Sequence, residues 1–354
     1  MSSFNRFPGN STELFKLKMI LFLQIIFLIK FCSSELLVHS FDDVNPENLK
    51  AEATLLETVK ENPICKELTE ISDIYEVIVE EDGVKTKENF TIRSILTDET
   101  VYEKTIPNAN YTVSYRKYLT CYDQEEPFLA NQLMKYYIDE PSKQDLNISE
   151  EVVGNIMSGD GIGEYYQDEI LDKLLFQGRE RDGFFVEAGA WDFVHTSNSL
   201  WYELRYNWTG LLIEPHYLAY QSGRHTHRNV WSVSTCLSTL EKPSLVSWEQ
   251  GDNLMGVFHK DVNQVSVEEA HQQCFPLYSY LAALDHPTVN LFILDIEGAE
   301  FPVLKTIPWD KVDIEVILVE LINVEKLFEG SREDIHQYLK DQSYEYLGTI
   351  SKYF

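Results

Sequence analysis

The sequence predicts an α/β fold, a doubly wound and mostly parallel sheet, with a smaller β-rich region ahead of it. Three observations carry this. From Gly183 onward, short apolar runs alternate with stretches of helical periodicity. The runs are apolar throughout rather than at every second residue, the pattern of strands covered on both faces. Several end in small residues or an acid, as in "GFFVEAGA", "TGLLIEP" and "VNLFILDIEGAE". That is where an open α/β sheet presents its ligand.

Residues 1–34 read as a targeting segment. Arg6, Lys16 and Lys18 precede the apolar run "MILFLQIIFLI", Met19 to Ile29, and Lys30 and "FCSS" follow it. A spanning helix needs about 20 apolar residues, so this shorter run fits a secretory signal peptide. Cleavage near Ser34 and an uncleaved type II signal anchor, passing the membrane once, both stand open. Sequons at Asn89, Asn110, Asn147 and Asn207 are permissive for a lumenal glycoprotein. With Cys32 inside the targeting segment, Cys65, Cys121, Cys236 and Cys274 form an even set. In an oxidising compartment such a set reads as disulfides, with three connectivities open to it. Pairing within regions favours Cys65–Cys121 and Cys236–Cys274. The expected location is the secretory pathway, in the lumen or membrane of the endoplasmic reticulum or Golgi, or outside the cell.

Residues 35–122 are acidic and rich in Thr, Ile, Val and Tyr. "IYEVIVEEDGV", "NFTIRSI" and "YTVSYRKYLTCY" have strand character. Residues 123–182 form a helical lead-in, with "EPFLANQLMKYYI" and "GEYYQDEILDKLLFQGRE" as its helices. Residues 183–354 hold the α/β domain. Its strands are "GFFVEAGA", "TGLLIEP", "NVWSVSTCLS", "VNLFILDIEGAE", "IEVILVEL" and "YEYLGTI". The helices between them include "SNSLWYELRYN", "YLAYQSGRHT", "PLYSYLAAL", "FPVLKTI" and "SREDIHQYLKDQ". The chain has 354 residues and a formal net charge of −29. Such acidity excludes nucleic acid and anionic membrane surfaces as general partners, because both would repel it.

Two strand ends carry the chemistry. In the first, Glu187, Gly189 and Ala190 give an acid and then a turn of little bulk, which lets a ligand approach the backbone. Glu214 ends the second strand, where an acid can accept hydrogen bonds from both hydroxyls of a ribose. No full glycine signature and no neighbouring cation supports a pyrophosphate. A nucleoside of little negative charge fits better, and S-adenosylmethionine is such a ligand. In the fourth strand, Asp295 and Glu297 stand where the sheet presents its site. They suit a general base or an orienter of substrate. A third role, a D-x-E metal pair as in a lumenal glycosyltransferase, ranks below these because no second ligand cluster accompanies it, and no metal is assigned. Glu300 opens the next helix, where an acid complements the dipole. His195, His216 and His259 lie on loops near the same edge, and His195 is the one assigned as a base. The run "HTHR", His225 to Arg228, reads as a polar helix end.

"FFVEAGA", "WTGLLIEPHYLAY", "STCLS", "FPLYSYLAAL" and "LDIEGAEFPVLKTI", in this order, resemble the methyltransferase FkbM family. "EPFLANQLMKYYI" and "DEILDKLLFQGRERDGFFVEAGA" resemble its animal branch, typified by protein Star. The family resemblance implies a Rossmann-like methyltransferase fold and S-adenosylmethionine-dependent O-methyl transfer to a sugar or similar small-molecule hydroxyl. Glu187, Gly189, Ala190 and Glu214 then correspond to the cofactor site, and Asp295, Glu297 and Glu300 to the fourth-strand motif. The Star branch implies a non-catalytic alternative: a secretory cargo-binding protein assisting vesicle-mediated export of a growth-factor precursor from the endoplasmic reticulum to the Golgi and endosome. In relatives the first loop commonly has a glycine after the aspartate, where this chain has Phe193. If that position takes a positive φ, phenylalanine is a poor occupant and the loop must differ. Trp191 and Phe193 are expected to add bulk beside the methionine pocket.

Overall fold

A computed structural model describes residues 112–350 apart from 177–181, 251–255, 259–271, 322–327 and 329. Before them it describes the backbone of Met19–Leu23, Ile25–Leu28, Asp73–Glu81, Val84–Ile92 and Val101–Thr105. Asp73–Glu81 pairs antiparallel with Val84–Ile92, and Val101–Thr105 with Thr112–Arg116. Both hairpins fall in the stretch rich in β-branched residues.

Among the described residues the main body is α/β: eight α-helices around a mixed core of six strands, part of a nine-stranded sheet. Its strands in chain order are β1 (Ile138–Asp139), β2 (Phe184–Ala188), β3 (Thr209–Ile213), β4 (Trp231–Val233), β5 (Thr288–Leu294) and β6 (Asp313–Glu320). They lie in the order β6-β5-β2-β3-β4-β1. Neighbours from β6 to β4 are parallel, and β1 closes the edge antiparallel to β4. The antiparallel edge is what the sequence reading did not contain. The first expected helix ends at Tyr136, and Ile138–Asp139 turns back into the sheet. Beyond β6, Met19–Leu23 pairs in parallel with both β6 and β7 (Glu345–Ile350). Ile25 pairs antiparallel with Glu320. These are the residues of the apolar run read above as a targeting segment. No helix among the described residues is long and apolar enough to cross a membrane.

The helices are α1 (Pro127–Tyr136), α2 (Glu150–Ser158), α3 (Gln167–Leu171), α4 (Ser199–Tyr206), α5 (Tyr217–Arg224), α6 (Leu277–Ala283), α7 (Glu300–Thr306) and α8 (Arg332–Asp341). Their ends follow local chemistry. Ser331 and Asp334 form a reciprocal capping box on α8, and α2 starts on the Ser149 side chain and stops at left-handed Gly159. β2 is buried end to end and β3 and β5 are buried toward their carboxyl ends, with Phe185, Val186, Leu211, Leu212, Leu291 and Phe292 all inaccessible. Each such side chain contributes about 1.5–3 kcal/mol by leaving water.

The third expected strand divides. Trp231–Val233 stays in the main sheet, whereas Cys236–Leu237 joins Gln272–Phe275 and Ser244–Val246 in a small separate sheet. Cys236 and Cys274 face each other in that sheet and are disulfide-bonded, as the pairing within regions anticipated. Cys121 is disulfide-bonded as well; Cys65 lies outside the described residues.

Candidate functional site

Sheet register builds the site. Leu294 pairs with Ala188 on one side and with Val319 on the other, and Ala188 pairs with Ile213. The next residue of each strand therefore stands in one row along the carboxyl edge: Glu214, Gly189, Asp295 and Glu320. Backbone bonds continue the row past the strands. The Asp295 amide donates to Ala188 at 3.1 Å, those of Gly189 and Ala190 to Ile213 at 3.0 and 3.2 Å, and that of Glu214 to Val233 at 3.1 Å.

Gly189 has a tighter reason to be glycine than ligand approach. Its φ is +87°, and a Cβ there would sit 1.8 Å from the Asp295 carbonyl oxygen. The first loop and the fourth-strand turn are thus in backbone contact. Ala190 is buried beside it.

Glu187 is committed to its own loop. Its carboxylate accepts from the Ser197 hydroxyl at 2.7 Å, the Asn198 amide at 2.8 Å and the Ser199 hydroxyl at 2.5 Å. Behind the two serines lies Arg228, buried, which donates to Ser197, Ser199, the Phe193 carbonyl and Glu203. Arg228 is the residue that sequence reasoning missed. It was read as part of a polar helix end, because nothing local marks an arginine whose partners lie some 30 residues upstream.

Phe193 does take the positive φ, at +69°, and Trp191 and Thr196 do so at +47° and +58°. Such conformations cost non-glycine residues of order 1–3 kcal/mol and persist only where surroundings hold them. Here the surroundings do. Phe193 is 2 % exposed, packs edge-on to Tyr220 with ring centroids 5.6 Å apart, and covers Gly223. A side chain at Gly223 would collide with that ring. The loop keeps the backbone expected of a glycine position, and the bulk of Phe193 goes into the core.

Glu214 is buried and held by two amides, from Trp191 at 2.8 Å and from His216 at 2.6 Å. Burial outweighs these bonds and raises its pKa to about 8. His216 caps α5, accepting from the Ala219 amide, and its ring tilts against Trp191. Burial lowers its pKa, so the ring is neutral near pH 7. His195 stands apart: its ring is exposed and 4.0 Å from Asp192. His259 lies outside the described residues.

The fourth-strand turn gathers acids. Ligand oxygens of Asp295, Glu297 and Glu320 lie within 4.8 Å of one another. Glu297 is left-handed at φ +59° and Gly298 follows at +109°. Glu300, fully buried, ties the turn by accepting from the Ile296 and Gly298 amides at 2.9 and 3.1 Å. Burial raises the Glu300 pKa to about 8. Desolvation first, and then the neighbouring carboxylates, raises Glu320 far above the usual range. Desolvation also raises Asp295, although its side chain reaches solvent. The structure thus brings Asp295 and Glu297 together, adds Glu320, and leaves His195 with Asp192.

A parallel-sheet edge with a glycine turn after one strand and acids ending the next ones is shared by many nucleotide-binding domains. Comparison with known families narrows it. Residues 186–346 match the Methyltransferase FkbM domain. The match runs from within β2 to within β7, so every strand end of the site lies within the matched residues. It is to the domain, not to the animal branch, and residues ahead of 186 lie outside it. No curated protein and no solved structure matches the chain. FkbM domains usually bind S-adenosylmethionine.

Proposed function

We propose that the chain is an S-adenosylmethionine-dependent O-methyltransferase of the secretory pathway, acting on a glycan or similar hydroxyl. The observation that carries this reading is the row of strand-end acids, Glu214, Asp295 and Glu320, set in register inside the FkbM domain. Glu214 would hold the cofactor through its ribose hydroxyls, its carboxylate already fixed by two amides. Gly189 and Ala190 give the adjacent turn its low profile. When bound, S-adenosylmethionine supplies an electrophilic methyl group. The protein's own part is orientation and charge. Asp295 and Glu297 stand on the next strand end, where they can orient a substrate hydroxyl and accept its proton. The apolar run after a basic flank and the four sequons support the compartment.

Calorimetric titration of S-adenosylmethionine into the full chain tests the reading. Binding lost in Glu214→Ala, with folding intact, is the expected result. No binding by folded wild type would overturn it.

One observation favours a second reading. Glu187 and Glu214 are both already satisfied by the chain itself, as in a domain kept for its surface. On that reading the protein is a Star-like cargo-binding factor for a growth-factor precursor. Cargo secretion unaffected by Glu214→Ala would support it, and loss of secretion by that folded variant would count against it.

A further inference from the structure

We propose that Asn207, and not Asn147, carries an N-linked glycan, set on the amino edge of the sheet. The triplet Asn207-Trp208-Thr209 closes α4 and opens β3. Asn207 is the left-handed residue that ends the helix, at φ +56°. The Trp208 amide donates back to the Tyr202 carbonyl at 3.3 Å, and the Thr209 amide to the Gly183 carbonyl at 3.1 Å. These bonds fix the backbone of the turn. Trp208 is its peg: the indole is buried, lies over Gly183 and stacks on Tyr202 with ring centroids 5.0 Å apart.

Burying the middle residue turns the two outer ones to solvent. Asn207 and Thr209 are both exposed, and neither side chain has a hydrogen-bond partner among the described residues. An N-linked glycan needs this pair, an asparagine amide and a hydroxyl two residues on, and a surface position for its bulk. The sequon at Asn147 is built differently. Its Nδ2 donates to the His225 carbonyl at 2.9 Å, its backbone amide donates to Thr226 at 2.7 Å, and the Ser149 hydroxyl caps α2. The fold already uses the groups a glycan would take. Losing one such bond costs about 0.5–1.5 kcal/mol, a cost that modification of Asn207 does not carry. Asn110 and the side chain of Asn89 lie outside the described residues.

The transfer involves no oxidation or reduction. The donor is an oligosaccharide joined through pyrophosphate to a membrane lipid. Asn207 Nδ2 bonds to the anomeric carbon of the first sugar, the bond from that carbon to the pyrophosphate oxygen breaks, and the lipid pyrophosphate leaves. The displaced amide proton passes to solvent. The position leaves the candidate site clear. Thr209 starts β3 and Glu214 follows its end, so at about 3.3 Å per residue the sequon and the strand-end acid lie about 16 Å apart, on opposite edges of the sheet. A glycan here covers the amino edge and leaves the carboxyl edge to its ligand. The proposal rests on the secretory-pathway part of the reading above and not on its cofactor.

The test is peptide mass spectrometry on the full chain produced in cultured animal cells, before and after treatment with a peptide N-glycosidase, which leaves aspartate where a glycan was. The peptide holding Asn207 is expected to be glycosylated and the one holding Asn147 to be largely unmodified. Asn207→Gly keeps the left-handed turn, and Thr209→Val keeps the shape of the side chain. Each should remove one glycan from the intact mass, whereas Asn147→Gln should remove none. The wild-type peptides decide the matter even if a variant does not fold. The proposal is overturned if Asn207 comes back unmodified from chains glycosylated at another sequon, or if Asn147 is occupied as fully as Asn207. A folded chain with no glycan at any sequon would overturn it together with the secretory compartment. Cofactor binding, read by the calorimetry above, stands or falls separately.

Discussion

The loop after β2 and the turn after β5 both follow an acidic strand end, and they treat their acids in opposite ways. Glu187 is met by two hydroxyls and an amide, with the Arg228 guanidinium behind the hydroxyls. Asp295 and Glu320 are met by other carboxylates, and an oxygen of Glu320 and one of Glu300 have no partner among the described residues. The same element, an acid closing a parallel strand, is a tether to its own loop in one place and a member of a carboxyl–carboxylate pair in the other. The first loop uses its acid to hold Ser197, Asn198 and Ser199 at the start of α4.

Gly189 is where the two regions touch, and Gly189→Ala should have the largest effect. The added methyl would lie 1.8 Å from a backbone carbonyl at a positive φ, so neither a rotamer change nor a side-chain shift relieves it. Overpacking and backbone strain together should cost about 4 kcal/mol or more. Urea denaturation would show this, and a loss under about 1 kcal/mol would mean the strands can part freely.

Arg228→Met comes next. It leaves Glu203 without its ion pair and removes the guanidinium donor from Ser197, Ser199 and the Phe193 carbonyl. Breaking a buried pair from one side costs about 3–5 kcal/mol. If the contrast drawn above is right, removing one acid from the other region is far milder: Glu300→Gln should cost less than Arg228→Met in the same denaturation series. Equal losses would erase the distinction between the two regions.

Phe193→Gly asks what holds the first loop. The substitution relieves the positive φ, worth about 1 kcal/mol, and deletes a ring buried against Tyr220 and Gly223, worth about 3–5 kcal/mol. A net loss of about 2–4 kcal/mol is expected, with cofactor affinity retained if the loop backbone is unchanged. Stabilisation by glycine would show that the ring is a burden and not a peg.

These variants also mark what the sequence made legible. Apolar runs closed by small or acidic residues located β2, β3, β5 and β6 and put Glu187, Glu214, Asp295 and Glu297 at their ends. That worked because burial on both faces writes itself into every residue of a strand. Glu320 escaped notice although it closes "IEVILVE", since its relation to Asp295 comes from strand pairing, which local pattern does not encode. Arg228 escaped for the same reason. Phe193 was recognised as an anomaly, but its outcome depended on Gly223 and Tyr220, 30 and 27 residues away. The edge strand Ile138–Asp139 was too short to carry any period.

The smallest effect expected sharpens the comparison at Glu214, which sits between the two extremes. It has amide partners, as Glu187 has, and still a pKa raised to about 8, chiefly by burial. A carboxyl raised in the folded state favours folding when protonated. Its contribution is therefore full below the unfolded value near 4.5 and is lost as pH rises through about 8. Wild-type stability should fall over that window by more than that of Glu214→Gln, which cannot ionise. Cofactor affinity should move the other way, because an ionised Glu214 accepts from both ribose hydroxyls: binding should tighten between pH 6 and pH 9 by up to about a hundredfold, as one ionisation completes. Calorimetry at the two pH values, on wild type and Glu214→Gln, reads both slopes. A wild-type affinity indifferent to pH would mean that Glu214 is already ionised in the free protein. It would then belong with Glu187 as a settled tether rather than with the acids of the fourth-strand turn.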